Sequence, residues 1–130
     1  MISVDLALLL RNAGLRWRPA SGDRFAMLQP EMDGEIFTIS EMTIEAHTFP
    51  TGTVLGFNGT TEWALDSVTL DTALWLPRED QLRDMLGDRF AGLHRDAEDW
   101  LVQVDGEGGR DTFSHPDPEC AYALALLSLV

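Results

Sequence analysis

Apolar positions recur at helical spacing at both ends of this chain and alternate with polar ones through most of its middle. Near the start, Leu6, Leu9, Leu10 and Ala13 fall at i, i+3, i+4 and i+7, the stripe of an amphipathic helix. Ser3 is placed to cap it and Gly14 to end it. Val4 and Leu8 widen the apolar face, so the helix over Val4 to Ala13 is expected to be well buried. At the far end, AYALALLSLV is apolar on almost every side and follows Asp117-Pro118, a helix-opening pair. The third helix is expected in PREDQLRDMLG. There Pro77 suits the first turn, Glu79 and Asp80 favour the positive end of the helix dipole, and Gly87 stops the run.

Between these helices the pattern shortens to strands. Ser21-Gly22 predicts a turn into a strand near Arg24 to Leu28, and Asp33-Gly34 a hairpin. EIFTIS follows, with Ile36 fitting the alternation poorly. MTIEAHTF turns at PTG into TVLGFNG. TEWALDSV fits a short helix or a strand equally. After the middle helix, RFAGLHRD, DWLVQVD and RDTFSH read as three strands, with a turn over Asp105 to Gly109. The order α-βββ(β)-α-βββ-α predicts an α+β fold, an antiparallel sheet with N-terminal, middle and C-terminal helices packed on it. One domain over residues 1–130 suits the length.

Charge changes the picture of what the chain can bind. There are 22 acids and 9 bases, a net of -13, and every base is arginine. Without lysine there is no Schiff-base nucleophile and no phosphate-loop lysine. So acidic a surface argues against nucleic acid, which needs a basic face, and against anionic membranes. The imbalance is local. Residues 1–24 hold four arginines against Asp5 and Asp23, a net of +2, which leaves -15 for the remainder. The basic segment suits the acidic body of the same chain or of a second copy. Cys120 is the only cysteine, so no internal disulfide forms, and a reducing cytoplasm is the expected compartment. MISVDLALLL lacks a basic leader and carries Asp5, and the apolar tail is half a membrane span, so both ends are read as helices packed on protein.

Candidate chemistry is sparse. His47, His94 and His115 lie on three different predicted strands without a metal-binding spacing. Cys120 near a helix start with His115 five residues upstream makes a conceivable nucleophile pair, opposed by Glu119 beside the thiol. The acid pairs Glu79/Asp80, Glu98/Asp99 and Asp66/Asp71 are better explained by helix-end charge and turns than by acid–base work. DGEGG lacks the ligand alternation of a calcium loop. Asn58-Gly59-Thr60 matches a glycosylation triplet and more simply makes a turn. Two features remain. Arg16-Trp17-Arg18-Pro19 pairs an aromatic with arginines and suits a cation–π or salt-bridge clasp. Trp63 and Trp75, twelve residues apart with carboxylates near each, are read with Leu65, Val68, Leu74 and Leu76 as packing that locks the middle helix to the sheet. The alternative makes Trp63 and Trp75 the walls of a ligand pocket, with Glu62, Asp66 and Arg78 supplying polarity.

The segments DLALLLRNAGLRWRPASGDRFAM, FTISEMTIE, FNGTTEWALDSV, LWLPREDQLRDMLG and AYALALLSL together resemble a family of short bacterial proteins, frequent in actinobacteria. Members often carry the label pilus assembly protein CpaE. The larger, MinD-like nucleotide-binding protein of that name uses a Walker A loop, and this chain contains none. The resemblance covers nearly the whole chain and implies a cytoplasmic, single-domain protein, with no established activity, cofactor or catalytic residue.

The reading that follows is a non-catalytic interaction domain that self-associates or binds a protein partner, with no cofactor. Two others stand beside it: a small-ligand binder or enzyme using the Trp63/Trp75 region, and an acidic inhibitor of immunity type that neutralises a basic partner.

Overall fold

In the computed structural model, the described residues are 1–28, 35–39, 44–49, 52–57, 67–69 and 72–130, with the backbone alone described for 44–49, 52–57 and 67–69. The chain is α+β, and its strand pairings are antiparallel. Helices α1 (Val4–Asn12), α2 (Glu79–Leu86) and α3 (Pro118–Ser128) take the N-terminal, middle and C-terminal places. Among the described residues, six short strands separate α1 from α2: β1 (Arg24–Met27), β2 (Ile36–Thr38), β3 (Ile44–Phe49), β4 (Gly52–Phe57), β5 (Ser67–Thr69) and β6 (Ala73–Leu76). This exceeds the expected three or four, because the stretch that fitted helix and strand equally contributes β5, and Leu74-Trp75-Leu76 forms β6. After α2 come β7 (Phe90–Asp96), β8 (Asp99–Gly106) and β9 (Gly109–His115). The strands form three sheets, β2-β1-β6, β3-β4-β5 and β7-β8-β9.

Contacts divide the chain into two compact units, Met1–Arg16 with Pro77–Val130, and Trp17–Leu76. In the first, the three helices serve one sheet. Helix α3 packs on β8 and β9 and is flanked by α1 and α2. The register explains which sheet face it covers. Val102 and Val104 on β8 are buried, and they stand opposite Leu93 on β7 and Phe113 and Asp111 on β9. The other face carries exposed His94, Thr112 and Ser114, the alternation of a sheet with one solvated side. On the helix side, Cys120, Ala121, Tyr122, Ala123, Ala125 and Leu126 are all buried. Small residues on α3 let it lie close to the sheet and to both neighbouring helices.

Helix ends follow their local signals. The Ser3 hydroxyl accepts from the Leu6 amide at 3.2 Å, and Gly14 leaves α1 at φ +109°, a region where a side chain would be strained. The Asp117 carboxylate accepts from the Glu119 amide at 2.8 Å, with Pro118 in the first turn of α3. At α2 the expectation for Pro77 needs correcting. Arg78 is the cap, and Pro77 precedes it. The Gln81 side chain reaches back to accept from the Arg78 amide at 2.9 Å, half of a capping box.

Burial of α1 also differs from expectation. Ala7 and Leu10 are buried, but Leu9 is 52% exposed and Val4 and Ala13 are exposed too. Among the described residues the main contact of the helix is with α3, and the apolar arc is wider than the surface that covers it. Turns at Ser21-Gly22 and between β8 and β9 form as read, the latter braced by an Asp105–Arg110 ion pair at 2.8 Å. The Asp33-Gly34 and Asn58-Gly59-Thr60 positions lie outside the described residues.

Candidate functional site

The second unit carries an aromatic face. Register places Phe37, Phe25 and Trp75 side by side across β2, β1 and β6. Met27 and Ala73 extend the same face by two residues, and Ile39 joins it from beyond β2. Alternation thus explains Ile36, which points the other way and is 45% exposed. Trp17 lies on this face. Its ring is 5.6 Å from Phe25 and 6.4 Å from Trp75, nearly parallel to the latter. Phe25 and Phe37 stack at 5.4 Å. The indole N–H of Trp17 donates to Asp23 Oδ2 at 2.9 Å, and the same oxygen accepts from the Ala20 amide at 3.1 Å.

Asp23 is only 3% exposed. It anchors the loop that delivers Trp17 to the face, and a carboxylate so placed leaves both donors stranded if removed. Asp23→Ala is expected to cost about 1–3 kcal/mol, read as a lowered urea midpoint, and Asp23→Asn to recover part of it. A midpoint unchanged in Asp23→Ala would mean that this anchor carries no stability.

The sequence-predicted residues are therefore distributed as follows. Trp75 is half-buried against Trp17, and its indole N–H is buried without an acceptor among the described residues. Trp63, Glu62 and Asp66 lie outside the described residues, as does Asp71. Arg78 pairs with Asp80 at 3.1 Å, which holds that carboxyl below its usual range. Arg16 and Arg18 are exposed. Trp17 joins the aromatic stack, whereas the guanidinium-over-ring contact occurs at Arg95, 5.3 Å from the Trp100 ring centre.

The remaining titratable groups hold structure. His94 and His115 occupy opposite faces of the β7-β8-β9 sheet, because His94 stands opposite Leu101 and His115 opposite Trp100. The His47 side chain lies outside the described residues. Among the described residues no cluster of His, Cys, Asp and Glu is placed to hold a metal. His115 Nδ1 accepts from the Asp117 amide at 3.0 Å, and the buried Cys120 thiol donates to the Met1 carbonyl at 3.9 Å. Burial pushes the Cys120 thiol up, away from the thiolate a nucleophile needs. The Met1 amine pairs with Asp117 and, at 3.9 Å, with Glu119. Its hydrogen bond to Asp117 raises the amine against the effect of burial. Burial works to raise the Asp117 carboxyl, but the amine and the helix amides outweigh it and hold it below its ordinary range.

A different surface stands open in the first unit. A cavity of about 320 Å³ is lined by Leu10 on α1 with Ala13, Gly14 and Leu15 just beyond its end, Met85 on α2, Leu126 on α3 and Val130 just beyond it. Among the described residues no lining side chain is polar. Val130 is 76% exposed at its rim, and Leu9 lies one turn before Ala13 on α1. Such a surface offers shape and apolar area to a partner, and no group for acid–base or nucleophilic work.

The chain matches no family model, no curated protein and no solved structure. Among the described residues no helix is long and apolar enough to cross a membrane.

The residues of this groove were not singled out by sequence reasoning. The available signal was the width of the apolar arc on α1. An arc that includes Val4 and Leu8 besides the stripe exceeds what one neighbouring helix covers.

Proposed function

We propose that this chain is a non-catalytic interaction domain of the cytoplasm that docks a protein through the groove between the ends of α1, α2 and α3. The observation that carries this reading is that every described side chain lining the groove is apolar, beside the exposed Leu9 and Val130. Exposed apolar surface of this kind costs solubility unless something covers it. The titratable groups described with shifted pKa values support the same reading, since they serve ion pairs, a helix cap and buried side chains rather than a shared cleft. The single buried cysteine agrees with a reducing compartment.

A photo-crosslinking amino acid at Ala13, exposed on the groove wall, tests the reading in cells. A discrete protein adduct is expected from position 13 and none from position 112, on the solvated face of the β7-β8-β9 sheet. No adduct from position 13 would refute the proposal.

A further inference from the structure

Building on that reading, we propose that the occupant of the groove is a second copy of this chain, docked about a two-fold axis. Two features of the surface make it self-complementary. The first is shape. Leu9 projects one turn before Ala13, so an apolar knob stands directly beside an apolar hole on the same helix. A two-fold contact requires this arrangement, because each copy must present both the patch and its complement.

The second feature is charge. Leu15 on the α1 side of the groove is followed by exposed Arg16, and residues 1–16 carry Arg11 and Arg16 against Asp5. Met85 on the α2 side is preceded by exposed Asp84, with exposed Asp88 one turn on. The segment from Glu79 to Arg89 holds four acids against two arginines. One wall is thus net basic and the other net acidic. A two-fold axis that runs along the groove exchanges the walls, so each basic wall faces the partner's acidic one. A foreign partner of uniform charge would meet one favourable wall and one repulsive one. The exchange also lets chains of net charge -13 approach where their own signs differ, and it makes the contact sensitive to salt.

The test uses sedimentation velocity on the full chain over a range of concentration and salt, with four samples beside the wild type. Leu9→Asp removes the knob. Arg16→Asp and Asp84→Arg each place like charges across the axis. An equimolar mixture of the last two restores opposite charges at both contacts. All three positions are exposed, and far-UV circular dichroism checks that each variant folds. The wild type is expected to dimerise at micromolar concentration and to weaken as salt rises. Leu9→Asp, Arg16→Asp and Asp84→Arg are each expected to weaken dimerisation about tenfold or more, and the mixture to recover most of it.

A wild type that stays monomeric at every concentration overturns the proposal, as does a dimer indifferent to Leu9→Asp, or a mixture no better than its components. The crosslink from position 13 separates this failure from that of the interaction reading. An adduct of twice the 14.5 kDa chain mass agrees with a second copy. An adduct of any other mass keeps the interaction domain and rejects self-association.

Discussion

Phe25→Ala is expected to destabilise the protein by about 3–5 kcal/mol. Phe25 is fully buried at the centre of the β2-β1-β6 sheet. It stands opposite Phe37 on one side and Trp75 on the other, and Trp17 packs on it from the loop after α1. Truncation removes the ring that lies against Trp17 and Phe37 and stands across the β1–β6 pair from Trp75. The cost combines lost transfer energy with a cavity that three rigid aromatic rings cannot close, since their backbones are held by ladder hydrogen bonds and by the Asp23 anchor. Typical domain stability is about 5–15 kcal/mol, so such a loss brings the chain near its folding threshold. Urea denaturation gives the magnitude, and emission from Trp17 and Trp75 should shift to the red as water reaches them. A loss below about 1 kcal/mol would fit a surface site of no special packing, and would mean that this face is an open pocket rather than a packed layer.

Tyr122 carries the corresponding weight in the first unit. It is fully buried on α3, its ring 5.8 Å from Phe90, and its hydroxyl donates to Glu79 on α2 at 3.5 Å. Tyr122→Ala is expected to cost about 3–5 kcal/mol, as for other large buried aromatics. Tyr122→Phe keeps the ring and loses a long hydrogen bond, for about 1 kcal/mol or less at neutral pH. The two variants also differ in alkali. Burial raises the Tyr122 hydroxyl above 10.0, and the Glu79 charge adds to the rise. A raised folded-state value means stability that is complete below the unfolded tyrosine value and is lost as pH climbs through the folded one. Wild type should therefore lose stability above about pH 10 in a step that Tyr122→Phe lacks. Tyr122 is the only tyrosine, so phenolate absorbance follows this one group. Titration at the ordinary tyrosine pH in the folded protein would contradict the burial argument.

The elements with local signals were readable from the chain alone. Ser3, Gly14, Asp117-Pro118 and the alternation of RFAGLHRD, DWLVQVD and RDTFSH act within a few residues, and each formed the element it marked. What depended on long-range packing was not readable. Trp17 looked like part of an arginine-flanked clasp, because nothing near it shows that β1 and β6 pair to present Phe25 and Trp75 as its floor. The exposure of Leu9 was hidden for a related reason. A stripe reports which residues can be buried, while the number of neighbouring elements decides which are. Helix α1 has α3 along one side, and its surplus apolar arc became the edge of the groove.

The claim that depends most on this surplus is that the groove is a contact surface and that a second copy fills it. Backbone amide exchange measured at high micromolar and at low nanomolar chain concentration tests it directly. Exchange over residues 9–15, Met85 and residues 126–130 is predicted to slow at the higher concentration, with residues 100–106 on β8 unchanged. Exchange that is the same at both concentrations throughout these segments would contradict it.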